Sequence, residues 1–248
     1  MANYKAVLFD LGNTLLYFNG SWPQVFAQSD LEVLNFLKTS GLDIDEMVFL
    51  QEFRNRINEY HKRREIEFIE ITIAYLLRDL LKDLGYPNTS EETIRTALQK
   101  MYQVSQSHWL IEKDCLDTLD KLKSRDYKIG IISNASDDAD VQKLVGDSQI
   151  KEYVDFALSS AACGIRKPDP RIFSIALSYW DFTNEEVIMV GDTLNADILG
   201  AKNSNIKSVW IKRRANIPNN LDSDEKLMPD ETIETLSELP DLLDKLTN

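Results

Sequence analysis

Four short stretches of this 248-residue chain each bring a chemically capable side chain to the end of an apolar run or into the turn after it. The apolar residues Ala6 to Phe9 stop at Asp10 in FDLGNTL, and IISNAS carries Ser133 and Asn134. GIRKPDP carries Lys167, and VGDTLNAD carries Asp192 with Asp197 five residues on. Together they supply carboxylates, a hydroxyl and an amine, with no histidine among them. A carboxylate with an ordinary pKa near ~3.9 is ionised at neutral pH and can act as a nucleophile. Two carboxylates from different loops can share a Mg²⁺, which prefers oxygen ligands. The cation would neutralise an incoming phosphate that the aspartates otherwise repel. Ser133 and main-chain amides can hold the transferring oxygens, while Lys167 offsets negative charge that builds up in the transition state.

Such a set works only if the fold gathers it. Tyr4–Phe9, Lys128–Ile132, Val154–Leu158, Val187–Val190 and Ser208–Ile211 read as strands, and Ala139–Val145, Ile172–Trp180 and Ala196–Asn203 carry a helical period. The alternation implies an α/β fold, a doubly wound parallel sheet with helices on both faces. Ligands of such sheets bind outside the carboxyl ends of the strands, near a switch in strand order. That is where the four stretches fall.

The segment between Tyr17 and about Ile111 offers no strand pattern. Leu31–Leu37 and Met47–Tyr60 read as helical. Glu65–Leu84 reads as one further helix, with Ile66, Ile69, Ile73, Leu76, Leu77, Leu80 and Leu84 at helical spacing, ended by Gly85 and Pro87. Thr89 and Glu92 form the pattern of a capping box for another helix reaching about Ser107. The expected organisation is therefore an α/β core from 1–16 and 112–248, interrupted by an all-helical domain at 17–111. The polar, acidic stretch 219–231 is expected to be a surface loop.

The formal charge of −13 leaves no basic stripe of the kind nucleic-acid binding requires. No run is long enough to span a membrane, and the N-terminus lacks the pattern of a cleaved leader. Cys115 and Cys163 show neither metal-site nor disulfide spacing, and the cytoplasm is the expected location. The acidic run Asp137, Asp138, Asp140 lacks the glycine and terminal glutamate of a calcium loop and reads as a helix start. The basic run His61-Lys62-Arg63-Arg64 reads as a solvated helix face, with contact to an anionic substrate as the alternative. Arg166 reads as a structural or rim residue. Trp22 suits either core packing or the lining of an entrance.

FDLGNTL, IISNAS, GIRKPDP and VGDTLNAD resemble, in order, the four motifs of the haloacid dehalogenase-like superfamily of hydrolases. The helical insertion sits where that superfamily carries its cap domain. A lone aspartate at a strand end is ordinarily a turn former, but four motifs in order are a stronger signal than any one of them. The resemblance implies a Rossmann-like core with a helical cap, and Mg²⁺-dependent hydrolysis of a small phosphorylated metabolite. It implies that Asp10 attacks phosphorus to form an aspartyl-phosphate, which water then hydrolyses. Ser133, Asn134 and Lys167 would bind the phosphoryl group. Asp10, the Gly12 carbonyl and Asp192 would hold the metal, with Thr14 and Asp197 in support.

One position departs from the pattern. Most phosphatases of the superfamily carry a second aspartate two residues after the nucleophile, as general acid and base, and here that residue is Gly12. General acid–base catalysis typically contributes ~10²–10⁴-fold. Glycine keeps the carbonyl that the metal uses. The superfamily's dehalogenases also lack the second aspartate and use no metal, whereas the Gly191-Asp192 pair favours the metal-dependent branch. Two other readings follow: dehalogenation of a 2-haloacid by the same Asp10, and a non-catalytic member that binds a phosphorylated ligand.

Overall fold

The computed structural model describes residues 3–216, 220 and 227–247. The chain divides into two compact units, Met1–Phe18 together with Leu110–Asn248, and Asn19–Trp109.

The first unit is built on a six-stranded sheet. Its strands are β1 (Ala6–Phe9), β4 (Lys128–Ser133), β5 (Phe156–Ser159), β6 (Val187–Gly191), β7 (Lys207–Ile211) and β8 (Glu231–Ile233). They lie in the order β5-β4-β1-β6-β7-β8, and every pair is parallel. β1 is central and fully buried, with Phe9 opposite Ile131 on one side and Val190 on the other. Continuous apolar strands such as AVLF and VIMV are what a sheet covered on both faces demands. The cover comes from α5 (Cys115–Lys123), α6 (Asp138–Asp147), the short α7 (Ser160–Cys163), α8 (Pro170–Leu177), α9 (Leu199–Asn203) and α10 (Leu239–Thr247). Ile172, Phe173 and Ala176 of α8 pack with Leu8, Ile132 and Met189 of the sheet. The chain runs outward from β1 through β4 to β5, then returns to β6 on the other side of β1. The order therefore switches beside β1, and the loops after β1, β4 and β6 emerge as neighbours.

A two-stranded ribbon, β2 (Leu16–Phe18) with β3 (Trp109–Ile111), carries the chain out of this unit and back. It is too short for a legible alternation, as is the three-residue β8. The acidic segment expected as a surface loop, 219–231, lies mostly outside the described residues.

The second unit contains four helices: α1 (Trp22–Thr39), α2 (Glu46–Glu67), α3 (Ile73–Asp83) and α4 (Glu91–Gln106). Their apolar faces meet in a core that includes Leu34, Leu37, Phe49, Phe53, Leu77 and Leu98. Here two expectations are corrected. The stretch Glu65–Leu84 is not one helix: α2 ends at Glu67, Phe68 turns left-handed (φ 52°), and Thr72 starts α3 by accepting the Tyr75 N–H. Ile66 and Ile69 sit at helical spacing yet are exposed, so the period did not mark a core stripe there. Glu70 instead turns inward and accepts the Tyr60 hydroxyl. The second correction concerns α4, whose N-cap is Ser90, accepting from Thr93 N–H at 3.1 Å, while Thr89 bonds back to the Tyr86 carbonyl. The stop at Gly85 holds, and its φ of +92° is one that glycine adopts without a Cβ penalty.

The basic run 61–64 lies on α2, where Arg63 pairs with Glu67 and Arg64 with Glu65. Trp22, at the start of α1, is partly exposed and stacks on Phe26, with Trp109 edge-on. Among the described residues no helix is long and apolar enough to cross a membrane. Neither Cys115 nor Cys163 is joined in a disulfide.

Candidate active site

Asp10 follows β1 directly, its N–H bonded to the Val190 carbonyl at 2.9 Å, so its backbone is fixed by the neighbouring strand. Asn13, three residues on, takes the left-handed conformation (φ 61°), which asparagine tolerates better than most residues. The chain then turns back, with Gly12 bridged to Leu16 and the N–H groups of Leu15 and Leu16 both on the Leu11 carbonyl. Thr14 is completely buried, and its hydroxyl has no hydrogen-bond partner. Ser133 is the last residue of β4, opposite Ser159 of β5, and is buried.

Lys167 is brought to Asp10 from a loop more than 150 residues further along the chain. Its ammonium is 2.6 Å from Asp10 Oδ1, 2.7 Å from Asp197 Oδ1 and 2.7 Å from the Ile132 carbonyl oxygen, almost wholly shielded from water. The ammonium donates hydrogen bonds to Asp10 and to the Ile132 carbonyl, and it forms an ion pair with Asp197. The Asn134 side chain grips the main chain of the same residue: Lys167 N–H donates to Asn134 Oδ1 at 2.9 Å, and Asn134 Nδ2 donates to the Lys167 carbonyl at 3.0 Å. The Lys167–Pro168 peptide is cis. Arg166, expected as structural or rim, is buried.

Asp192 follows β6, and its carbonyl accepts from Trp210 Nε1 at 2.9 Å and Asn220 Nδ2 at 2.8 Å. Asn220 also accepts the Leu194 N–H. Residues Leu194–Ile198 form a wide turn of π-helical geometry that places Asp197 beneath the loop, where its Oδ2 accepts the Thr193 N–H at 2.9 Å. Gly191 is explained by this approach, since a Cβ there would lie 2.3 Å from the Asp197 carboxylate.

The structure thus joins Asp10, Lys167, Asp192 and Asp197 in one cluster, with Asn134 attached through Lys167. Carboxylate oxygens of the three aspartates lie within 4.8 Å of one another. Three carboxylates face one ammonium, and Asp192 Oδ2 is buried with no hydrogen-bond partner. Burial pushes Asp10 up to about 6 despite the pull of the Lys167 charge. Burial, reinforced by the charges of Asp10 and Asp197, pushes Asp192 up to about 8. For Lys167, burial acts against the charged form, but Asp10 and Asp197 outweigh it and hold its pKa above the ordinary value. An oxygen-only donor set with surplus negative charge and an orphaned carboxylate oxygen fits a hard divalent cation.

Sequence reasoning did not find the grip of Asn134 on Lys167, nor the roles of Trp210 and Asn220. The signal available for Trp210 was its place in β7, next to β6 in the sheet, with Gly191 and Trp210 register partners.

Residues 42–211 match the haloacid dehalogenase-like hydrolase family. Over 246 residues the chain is 29% identical to a glyceraldehyde 3-phosphate phosphatase of Pyrococcus furiosus, covering 99% of this chain and 94% of that one. It is 26% identical over 248 residues to the pyrimidine 5'-nucleotidase PynA of Streptococcus pneumoniae, covering 98% and 96%. Its fold resembles the solved 2-haloacid dehalogenase from Pseudomonas syringae pv. Tomato DC3000, with a TM-score of 0.68 at 24% identity over 98% of this chain and 99% of that one. A parallel sheet with these strand-end residues and a family match across most of its length lead to one conclusion: the chain belongs to the haloacid dehalogenase-like hydrolases.

Proposed function

We propose that this protein is a Mg²⁺-dependent phosphatase of small phosphorylated metabolites, working through an aspartyl-phosphate on Asp10. The observation that carries the reading is the surplus of buried carboxylate around Asp192, whose Oδ2 has no hydrogen-bond partner. Balanced clusters need no cation; this one is left with more negative charge than Lys167 can offset. Asp10, the Gly12 carbonyl and Asp192 would hold Mg²⁺. When bound, the metal supplies positive charge that lowers the repulsion between phosphate and aspartates.

The remaining roles belong to the chain. With Asp10 Oδ1 held by Lys167, the Asp10 carboxylate stays oriented and attacks phosphorus as the bond from phosphorus to the leaving oxygen breaks, and the departing alkoxide takes its proton from solvent. Ser133, the main chain at Asn134, and Lys167 bind the phosphoryl oxygens, with preorganised donors stabilising charge as it develops. Asp197 holds Lys167 and the Asp192 loop, and Thr14 supports the loop after β1. Water then cleaves the acyl phosphate and returns the Asp10 carboxylate. We assign the helical segment 17–111 as the cap domain and 1–16 with 112–248 as the catalytic core. The relatives named above act on a triose phosphate and on pyrimidine nucleotides, which supports a small phosphate monoester as the substrate class.

The test is phosphate release from an activated aryl phosphate, with Mg²⁺ and after chelation. Turnover that requires Mg²⁺ supports the reading. Halide release from a 2-haloacid that survives chelation would replace it with the dehalogenase reading. Phosphate binding without either activity would point to the non-catalytic one.

A further inference from the structure

We infer that Asn134 is a positioning residue for Lys167: its side-chain amide fixes the Lys167 main chain, and so delivers the ammonium between Asp10 and Asp197. The inference rests on the proposed phosphatase chemistry for its catalytic consequence, but not for its structural content.

A side-chain amide carries one acceptor and one donor group in a plane, and here each meets the complementary group of a single residue. Asn134 Oδ1 accepts the Lys167 N–H at 2.9 Å, and Asn134 Nδ2 donates to the Lys167 carbonyl at 3.0 Å. The orientation is unambiguous, since a flipped amide would set N–H against N–H and oxygen against oxygen. Both peptide units flanking the Lys167 Cα are therefore tied to the end of β4. The side chain that leaves that Cα ends among Asp10, Asp197 and the Ile132 carbonyl, and Ile132 lies only two residues before Asn134. Lys167 is thus anchored to β4 at both ends, by main chain through Asn134 and by ammonium through Ile132. The two carboxylates, Asp10 and Asp197, then face an ammonium whose place is set.

This requirement explains the residue type. Aspartate would keep the acceptor but lose the donor. Serine or alanine would release the Lys167 carbonyl, the N–H, or both. A misplacement of about 1 Å at a charged catalytic group can cost on the order of 10²-fold in rate.

The first readout needs no substrate. In ¹⁵N-labelled protein, the Lys167 Nζ resonance, identified by its absence in Lys167→Ala, should exchange slowly with water because the ammonium is 1% exposed and bonded to Asp10 and the Ile132 carbonyl. In Asn134→Ala its exchange should quicken at least about tenfold with thermal unfolding little changed, as local release of a held group predicts. A wild-type resonance already in fast exchange, or identical exchange in the variant, overturns the inference. The second readout is kcat/KM for an aryl phosphate with Mg²⁺. Asn134→Ala should lower it about 10- to 100-fold in the wild-type background and leave it nearly unchanged in Lys167→Ala, because the two residues act through one group. An equal loss in both backgrounds would mean that Asn134 acts independently of Lys167, and that overturns the inference. Should Asn134→Ala fail to fold, Asn134→Asp is judged by the same two readouts. Absence of any wild-type turnover would strike the phosphatase reading, and the Nζ exchange would still decide the role of Asn134.

Discussion

Two of the charge clusters in the α/β unit are balanced differently. Beside the ribbon, Glu112 and Asp114 meet Arg213 and Arg214. Glu112 pairs with Arg213 Nη1 and Arg214 Nε, each at 2.7 Å, and Arg213 also reaches Asp114. Two carboxylates face two guanidinium groups. Burial acts upward on Asp114, but the Arg213 hydrogen bond and its companions outweigh it and hold the carboxyl below its usual range. Around Asp10, three carboxylates face one ammonium, and burial leaves Asp192 far above that range. A buried charge cluster that only joins parts of a fold is expected to arrive near neutrality, because unpaired buried charge is costly. A cluster kept out of balance is prepared for a positive partner. The balanced cluster has its own structural task. Arg214 lies over the Tyr17 ring at 4.0 Å, so the loop after β7 touches both segments by which the chain leaves and re-enters the unit.

The sharpest way to break this comparison is Asp10→Asn. The amide is neither the nucleophile nor an anionic ligand, and turnover should fall by roughly 10⁴-fold or more with the fold intact. Near-wild-type phosphate release by that variant would remove Asp10 from the chemistry and leave the imbalance unexplained.

Metal comes next. Asp10 and Asp192 have folded-state pKa values above the ordinary carboxylate value, about 6 and about 8. Their ionisation therefore opposes folding. Without metal, the favourable state is the protonated one, fully present below about pH 4, and stability should decline as pH rises towards 8. At pH 8, Mg²⁺ should raise the melting temperature of the wild type by binding only the folded form. Asp192→Asn should melt higher than wild type without metal and respond much less to Mg²⁺. Equal Mg²⁺ shifts in the two proteins, read by calorimetry, would take Asp192 out of the metal site.

The balanced cluster should answer in the opposite way. Glu112→Gln leaves Arg213 and Arg214 short of a carboxylate and should cost about 1–3 kcal/mol in denaturant unfolding. Its Mg²⁺-induced shift should match that of the wild type. A loss of Mg²⁺ response without a loss of stability would show that the two clusters are not separable in the way their charges indicate.

The sequence made one of these clusters readable and hid the other, for a physical reason. Asp10, Asp192 and Asp197 announce themselves because each stands where an apolar strand stops, or in the turn just after it, and strand ends are where such sheets do chemistry. Glu112 and Arg213 are about a hundred residues apart and sit in no pattern; only the closed fold brings them together. The same holds for Asn134, visible as a strand-end residue but not as the holder of a lysine 33 positions away. Period failed for a different reason in the helical unit. Ile66 and Ile69 kept the spacing of a core stripe while facing outward, and nothing local distinguished them from Ile73, Leu77 and Leu80, which face the core.

The smallest effect is expected at Gly12, and it sharpens the comparison by adding a carboxylate two residues after Asp10, a member of the unbalanced cluster. Gly12→Asp restores the residue most phosphatases of the family carry two positions after the nucleophile. If Gly12 marks a missing general acid, the wild type should cleave an aryl phosphate much faster than an alkyl phosphate, because the poorer leaving group needs the proton more. The substitution should then help the alkyl ester selectively and narrow the gap by roughly tenfold, a fraction of what general acid catalysis can supply. The added charge has a second consequence: the metal-free variant should be less stable than wild type at pH 8, and Mg²⁺ should recover more of that loss. Asn13, next in the chain, is held left-handed, so wild-type unfolding in the presence of Mg²⁺ is the control for an undistorted loop. With that control met, an unchanged alkyl-to-aryl ratio would show that the proton reaches the leaving group from elsewhere, and that position 12 serves the metal through its carbonyl alone.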